Sequence, residues 1–247
     1  MDCREVNVFW TSGLDSTFRI VELAASEGHI IQPWYIIDEK RRSSRIEMKR
    51  IRKMTHLIRE NKATKSELKD LKVVNLADVV IPDKISAIYP EIREKYSLGN
   101  QYIWLSAFLE SAGLEVEVAA ELPHTGISSA LLGECEMELE GDGADACFRV
   151  EPESSSEAGK LLFSRMLFPH HIWTIYKQDE MNEMIALGYE DVFKLTWFCH
   201  RPVFGMPCGH CHPCKDVIRD GLGWRIPTAG KLLYPVVRLF RHAFHRS

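Results

Sequence analysis

Two groups of residues in this 247-residue chain have types and spacing suited to chemistry, and the first follows the apolar run at 6–10. The run ends abruptly in Thr11, Ser12 and Gly13, after which a helical pattern begins. Small residues let a backbone approach an anion closely, and the N–H groups and dipole at a helix start hold the anion. This stretch therefore predicts a site for a polyphosphate.

The residues that follow add hydroxyl groups and a charge to this candidate site. Ser16 and Thr17 supply hydroxyl donors, and Asp15 is placed either to orient a metal-bound nucleotide or to cap the helix. An ordinary strand-to-helix turn with capping residues has the same composition, and local chemistry does not separate the two interpretations. The candidates for nucleotide binding are Thr11, Ser12, Gly13, Leu14, Asp15, Ser16 and Thr17.

The second group is four cysteines with the spacing C-x8-C-x2-C-x2-C, namely Cys199, Cys208, Cys211 and Cys214. Four thiolates close a tetrahedral zinc shell, and two-residue spacers let neighbouring sulfurs converge on one ion. No signal peptide or transmembrane run is visible, so we expect a reducing, cytoplasmic compartment without disulfides. Structural zinc is the favoured interpretation, and an iron–sulfur cluster or a redox dithiol are the alternatives.

Other histidines and cysteines have weaker claims to chemistry. His200, His210 and His212 lie among the four cysteines and are alternative ligands, although four thiolates suffice without them. The remaining cysteines are scattered along the chain, and we expect them to be buried as small apolar residues; they are Cys3, Cys135 and Cys147.

Composition and periodicity predict the elements that must position these groups. The chain is 45% hydrophobic with a net charge of −4, which suits one domain with a full core. Strands alternating with helices predict an α/β fold with a doubly wound, mostly parallel sheet. The predicted strands are 5–10, 30–37, 72–76 and 114–119, and the predicted helices are 15–26, 44–59, 101–111 and 177–187. We expect the cysteine segment, at about 195–220, to be a lobe of this domain.

Residues 135–156 are expected to be a hairpin-like insertion. Gly141, Asp142 and Gly143 lie between alternating residues, as in a hairpin turn. The acidic residues of the insertion lack regular ligand spacing, so a solvated hairpin is favoured over a cation site. Such an insertion could also shape the mouth of a substrate site.

A dense basic run occupies residues 40–53, although the mild acidity of the whole chain gives no general sign of nucleic-acid binding. A solvated helix face is the favoured interpretation for most of it. Lys40, Arg41 and Arg42 directly follow a predicted strand, and the carboxyl ends of parallel strands are where ligands bind. These cations are therefore candidates to meet pyrophosphate or a carboxylate, and Asp38 is a nucleotide-binding candidate at the same strand end.

The tail at 231–247 combines apolar and basic residues. It could be an amphipathic helix for a membrane or a partner, but docking on its own domain or on a twin subunit is favoured. Pro235 argues against a long straight helix. We expect no membrane association and a homodimer.

The loop at 11–16 resembles the S-G-G-x-D-S loop of the PP-loop ATP pyrophosphatases, with Thr11 in place of the Ser and Ser12 in place of the first Gly. Together with the closing Cys-Gly-His-Cys-His-Pro-Cys at 208–214, the chain resembles the 7-cyano-7-deazaguanine synthases. The segment 99–106 is similar to one where that family has an Arg-Asn pair, with Asn100 in the Asn role. The segment 174–180, which contains Lys177, is similar to a second segment of that family. The family's central substrate-contacting cluster has no counterpart here.

The resemblance implies an ATP-dependent ligase that also uses Mg²⁺ and structural Zn²⁺. ATP would convert 7-carboxy-7-deazaguanine into an acyl-adenylate, and ammonia would give the amide and then, after a second activation, the nitrile. Asp15, Ser16 and Lys177 are the implied catalytic residues, and Lys177 and Lys40 are candidates to neutralise phosphate. Two alternatives stay open: transfer of the activated acid to an amine on a protein or other macromolecule, and a catalytically degenerate nucleotide-binding partner protein. A tRNA-thiolating function would require a catalytic cysteine in the α/β core.

Overall fold

The computed structural model describes residues 3–121 and 125–244, with side-chain positions near the carboxyl terminus described only through 235 and at 237 and 238. Eight strands run in chain order: β1 (Arg4–Phe9), β2 (His29–Ile37), β3 (Glu67–Leu68), β4 (Lys72–Asn75), β5 (Val116–Glu117), β6 (Met137–Glu140), β7 (Cys147–Val150) and β8 (Met166–Pro169). The α-helices are α1 (Leu14–Ala25), α2 (Ser44–Glu60), α3 (Asp83–Tyr96), α4 (Gln101–Ala112), α5 (Ile127–Glu134), α6 (Glu157–Phe163), α7 (His170–Thr174), α8 (Lys177–Ala186), α9 (Glu190–Leu195), α10 (His212–Arg219) and α11 (Thr228–Phe244).

The strands form one mixed, mostly parallel sheet with the order β3-β2-β1-β5-β8-β7-β6, and β4 also pairs with β2. The pairs around β1 and β5 are parallel, whereas β7 is antiparallel to both of its neighbours. This confirms the α/β class and the mostly parallel sheet. From β1 the chain adds β2, β3 and β4 on one side of β1, and β5 then pairs with the other side of β1. The order of strands therefore reverses between β1 and β5.

Helices cover both faces of the sheet, because the inner strands carry apolar side chains on both sides. Val6 and Val8 of β1 pack with α1, α2, α8 and α9, whereas Phe9 packs with the helices α3 to α6 on the other face. The predicted helices at 15–26, 44–59, 101–111 and 177–187 are confirmed within two residues at each end. The predicted strand at 114–119 is only two residues long, Val116–Glu117.

The predicted hairpin is confirmed, with β6 and β7 as its antiparallel strands and Gly141 and Gly143 in left-handed conformations at its turn. Asp145, at the end of this turn, contacts the side chains of Arg4 and His29. These residues begin β1 and β2, so the turn lies near the amino ends of the inner strands. The described residues of the insertion line neither of the two cavities that adjoin the loop between β1 and α1.

The tail departs from the prediction at Pro235, which lies inside the 17-residue helix α11 rather than interrupting it. Tyr234 of this helix is buried in the same core as β1 and α1, so the tail docks on its own chain at this residue. Residues 245–247 of the predicted tail lie outside the described residues. Among the helices in the described ranges, none has both the length and the apolar character needed to span a membrane.

Candidate functional site

The loop between β1 and α1 lies at the carboxyl end of β1, where the strand order reverses. Ser12 takes a left-handed backbone conformation with φ 61°, which suits glycine and costs an L-residue free energy. Gly13 is the N-cap of α1, and no side chain caps this helix. A Cβ atom at Gly13 would lie 3.3 Å from the Thr11 hydroxyl. The loop is therefore tight, and the backbone at the start of α1 is left free for an anion.

Three buried contacts hold the loop in place. The Trp197 N–H donates to the Ser12 carbonyl at 2.7 Å, and this bond ties the loop to the segment that leads into the cysteine lobe. The Trp10 indole N–H donates to the Thr17 hydroxyl at 2.9 Å. Farther along α1, the Arg19 guanidinium binds the Glu117 carboxylate of β5 through two bonds of 2.6 and 2.8 Å. These contacts connect the loop and the helix after it to the cysteine lobe and to β5.

Three carboxylates and one ammonium group converge at this loop. Lys177, the first residue of α8, forms ion pairs with Asp15 and with Glu121, which follows β5. Glu180, one turn farther along α8, is fully buried, and neither of its carboxylate oxygens has a hydrogen-bond partner of acceptable geometry among the described residues. The carboxylates of Asp15, Glu121 and Glu180 offer oxygens within 4.8 Å of one another, so they could hold a metal ion.

The excess of acidic groups shifts their pKa values apart. Burial raises the pKa of Glu121 to about 8, and the charge of Asp15 adds to this shift. Burial and the charge of Asp15 likewise raise the pKa of Glu180 well above its usual range. Burial opposes ionisation of Asp15, but the nearby Lys177 charge outweighs it and lowers the Asp15 pKa. Burial disfavours the charged form of Lys177, yet the surrounding carboxylates raise its pKa.

Two cavities meet at the loop and share Thr11, Asp15, Gln101 and Glu121 in their walls. The first, the lobe cavity, has a volume of about 240 Å³ and extends to the cysteine lobe past Trp197. The second, the α4 cavity, has a volume of about 310 Å³ and extends past the start of α4. The two cavities therefore meet at the Asp15 carboxylate.

The loop residues predicted to bind a nucleotide do not all face these cavities. Those that line at least one cavity are Thr11, Gly13, Leu14, Asp15 and Ser16. The hydroxyl of Ser16 also lies 3.3 Å from the Thr11 N–H. The side chains of Ser12 and Thr17 are fully buried, and the Thr17 hydroxyl is occupied by Trp10.

Of the predicted residues outside the loop, some line a cavity or lie next to one, and others do not. Lys177 lines the lobe cavity. Asn100 caps α4 between Gly99 and Gln101, which both line the α4 cavity. Asp38 and Lys40 lie just after β2 and line neither cavity, and the Asp38 carboxylate accepts the Lys40 N–H at 2.9 Å.

Sequence reasoning did not select Glu121 or Glu180 as site residues, whereas Arg41 was among the cations expected to meet pyrophosphate or a carboxylate. Arg41 lines the lobe cavity in place of its neighbour Lys40 and pairs with the buried Glu47. The position of Glu121, directly beyond the carboxyl end of a predicted strand, was an available sign of its role. Glu180 had a weaker sign, because it shares one helix turn with Lys177.

The four predicted cysteines form a second, separate cluster. Cys199, Cys208, Cys211 and Cys214 are buried, and their sulfurs all lie within 4.8 Å of one another. Three of the sulfur–sulfur distances are 3.8, 3.8 and 3.4 Å, close to the edge of about 3.8 Å in a tetrahedral shell with metal–sulfur bonds of about 2.3 Å. Backbone N–H groups donate to the sulfurs of Cys199 and Cys208 at 3.2 to 3.4 Å. This cluster could bind a metal ion.

His210, one of the alternative ligands, has a different partner. Its Nε2 atom donates to the Lys231 carbonyl at 2.9 Å, and its ring stacks on Tyr234. Pro235 has no N–H group with which to satisfy this carbonyl four residues earlier in α11. The imidazole supplies the missing donor, which explains how the helix continues through the proline. Of the scattered cysteines, Cys147 is buried as expected, Cys135 is half-buried, and Cys3 is exposed, so the expectation for Cys3 was wrong.

No protein-family model matches this chain, and a search of curated proteins finds no significant match. The support for a function therefore comes from the loop, the charges around it and the cysteine cluster.

Proposed function

We propose that this chain activates a carboxylic acid with ATP, forming an acyl-adenylate and releasing pyrophosphate, and that an amine then attacks the acyl carbon. The proposed acid is 7-carboxy-7-deazaguanine and the proposed amine is ammonia. The first product is the amide, and a second activation dehydrates it to 7-cyano-7-deazaguanine. The observation that carries the proposal is the position of the Thr11–Ser16 loop, which resembles a pyrophosphatase loop and lies at the reversal of strand order beside Lys177.

The residues of this site suit the charge changes of such a reaction. A carboxylate is a poor electrophile, so its oxygen must first attack the α-phosphorus of ATP while the bond to the β-phosphate oxygen breaks. Negative charge then grows on the departing pyrophosphate. The free N–H groups at the start of α1, the Ser16 hydroxyl and the Lys177 ammonium would stabilise that charge, since donors fixed in advance need no reorganisation.

The acidic residues of the site fit a divalent cation. Asp15, Glu121 and Glu180 offer three carboxyl groups beside the single ammonium of Lys177, and a bound cation would favour ionisation of Glu121 and Glu180, whose pKa values are raised without it. Mg²⁺ is usually bound by one or two carboxylates together with phosphate oxygens and water, so members of this cluster would hold it. When bound, it supplies positive charge that neutralises phosphate oxygens.

The cysteine cluster would hold Zn²⁺ for structure alone. Four thiolates fill a tetrahedral shell and leave no position for water or substrate. Its lobe forms one wall of the lobe cavity, so the metal would act on the site by keeping that wall folded.

The test is mass spectrometry of the protein incubated with ATP, Mg²⁺, 7-carboxy-7-deazaguanine and ammonium. We expect AMP together with the amide or the nitrile, and loss of both in Asp15→Ala and Ser16→Ala. Asp191→Ala and Ser111→Ala are matched controls at exposed positions away from the loop and should retain activity. Normal turnover in the loop variants would refute the site assignment. Complete absence of AMP would favour a nucleotide-binding partner protein.

A second candidate function is favoured by the exposed face of α2. Arg45, Lys49, Arg52 and Lys53 are exposed on one side of this helix, and no described residue forms an ion pair with them. The start of the same helix contributes Glu47 to the lobe cavity. A row of exposed, unpaired cations on this helix suits a polyanionic macromolecule whose amine would accept the activated acid.

This second candidate predicts AMP without either small product, together with binding to a polyanion. The probe is heparin, measured at about 50 and 200 mM salt, because such binding weakens steeply with salt. The triple variant Lys49→Gln, Arg52→Gln, Lys53→Gln should bind heparin more weakly than the wild-type protein. Equal binding by the two proteins, or conversion of ammonia to the amide, would remove the reason for this candidate.

A further inference from the structure

Two arginines beside the lobe cavity lack the acidic partners that half-buried cations usually have. Arg50 of α2 lies with its guanidinium 4.7 Å from the centre of the Trp197 ring. Arg225, in the turn before α11, lies 4.8 Å from the Phe193 ring and 5.1 Å from the Phe198 ring. Both side chains are partly buried, and within the described ranges neither forms an ion pair with a carboxylate.

Backbone carbonyl groups hold the two guanidinium groups in fixed positions. Arg50 donates to the Leu195 carbonyl at 2.8 Å. Arg225 donates from one nitrogen to the Thr196 carbonyl at 2.8 Å and to the Thr196 hydroxyl at 2.6 Å. A guanidinium has five N–H donors, so most of those on Arg225 have no protein acceptor in the described structure.

The surroundings of Arg225 disfavour its positive charge. Burial lowers its pKa to about 10, and the neighbouring charge of Arg50 contributes to the shift. At neutral pH the group nevertheless stays protonated, so two like charges lie side by side without a counter-ion. A bound anion would relieve both the lost hydration and the repulsion.

Arg225 reaches the same cavity as the loop. It lines the lobe cavity, and the Thr196–Trp197 peptide connects it to the loop. The N–H of this peptide donates to Ser12, and its carbonyl accepts from Arg225. In a planar trans peptide these two groups point in opposite directions, so one rigid unit fixes Arg225 relative to the loop. The other cations of the cavity wall, Lys177 and Arg41, are paired with carboxylates.

We propose that Arg225, backed by Arg50, forms an oxyanion subsite of the lobe cavity, which takes a carboxylate or a phosphate group of a bound ligand. The planar guanidinium fork matches both groups, whereas a lysine would offer a point charge. The proposal rests on the proposed function for its two sources of oxyanion, the acid to be activated and the pyrophosphate part of ATP.

The experiment is isothermal titration of the zinc-loaded protein with two separate probes, inorganic pyrophosphate and 7-carboxy-7-deazaguanine. We expect Arg225→Gln to weaken one of them by about tenfold to a hundredfold, as loss of a charge-assisted hydrogen bond predicts. The probe that weakens identifies the source of the oxyanion. Lys215→Gln, which removes an exposed charge from α10 outside the cavity wall, should bind both probes as the wild-type protein does.

Arg225→Lys separates this subsite from a purely structural role. It keeps the charge but not the fork, so we expect an intermediate loss of affinity with an unchanged zinc content and melting temperature. Wild-type affinity for both probes in the Gln and Lys variants would overturn the subsite, as would no binding of either probe by the wild-type protein. Arg225-dependent binding without AMP formation would leave the subsite standing and refute the proposed function.

Discussion

The loop site and the cysteine lobe both gather buried titratable side chains, but only the lobe is complete. Four sulfurs of the lobe surround one point, and backbone N–H groups donate to them. At the loop, three carboxylates share one lysine, and the oxygens of Glu180 have no hydrogen-bond partner of acceptable geometry in the described structure. Two cavities open onto the loop, whereas the cysteines are buried.

This difference separates a structural role from a chemical one. A closed shell has no free position, so its binding energy stabilises the fold. An incomplete cluster keeps unfavourable charge interactions in the folded protein, and a ligand of the right charge relieves them. The shifted pKa values of Asp15, Glu121 and Glu180 accompany these charge interactions, and together with the open cavities they make the loop a candidate functional site.

The largest expected effect comes from opening the closed cluster. Cys211→Ser removes one of four ligands, and structural zinc sites contribute about 10–16 kcal/mol to folding in small peptides. We expect loss of bound zinc and a fall in melting temperature of about 10 °C or more, measured by metal analysis and differential scanning fluorimetry. Cys3→Ser, at an exposed cysteine, is the control and should change neither value. A variant that melts like the wild-type protein would show that the lobe needs no metal.

At the loop, Lys177→Met should lower the rate of AMP formation, whereas the cysteine variant mainly lowers stability. The change leaves three carboxylates without their cation, so we expect AMP formation to fall by about a hundredfold or more. The zinc content should be unchanged, because the two clusters share no residue. Added Mg²⁺ should raise the melting temperature of this variant more than that of the wild-type protein.

Lys194→Met is the matched control for Lys177→Met, since Lys194 forms only exposed ion pairs. AMP formation within about threefold of the wild-type rate in Lys177→Met would remove Lys177 from the site.

His171 provides a pH-dependent test of the loop side. Its two ring nitrogens lie 2.7 Å from a Glu22 oxygen and 3.3 Å from a Glu183 oxygen, so it joins α1 to the helix that carries Lys177. The hydrogen bond to Glu22 is the main cause that raises the His171 pKa, and burial opposes it. A raised pKa stabilises the folded state fully below the unfolded pKa of about 6.5, and this contribution is lost as the pH rises through the folded pKa.

We therefore expect His171→Gln to lower the melting temperature below pH 6.5, with the difference from wild type shrinking at higher pH. Melting curves between about pH 5.5 and 9 measure this difference. The control is His56→Gln, since the pair of His56 with Glu60 is exposed on both sides. A difference in melting temperature that does not change with pH would show that protonated His171 does not stabilise the packing of α8.

The smallest expected effect concerns the loop backbone. Ser12→Gly relieves the left-handed conformation, so we expect a gain of roughly 0.5–1 kcal/mol in the free energy of unfolding, or about 1–4 °C in melting temperature. Ser12→Ala keeps the backbone cost and removes the buried hydroxyl, which has no hydrogen-bond partner among the described residues, so it should show only the smaller gain due to the hydroxyl. Equal melting temperatures for the two variants would assign the effect to the hydroxyl.

Much of the fold followed from local patterns. The apolar run at β1, the small residues after it and the helix α1 lie within about 20 residues, so their local preferences act together. The helices that carry clear apolar periodicity were also predicted to within two residues at each end. The strand at 114–119 was predicted too long, and β3 and β8 were not predicted, because short buried strands have little periodicity of their own.

For the sites, the sequence by itself determined the cysteine cluster, because fixed short spacing brings most of its ligands together without help from the rest of the fold. It also predicted an anion site at the loop, which stays a prediction. Only the tertiary structure decided that Lys177, 162 residues away from Asp15, lies between two carboxylates. It likewise brought Glu121, Glu180 and Arg225 to the same place. These groups lie close together because parallel strands and their helices end at one edge of the sheet. The spacing of residues along the chain does not predict that proximity.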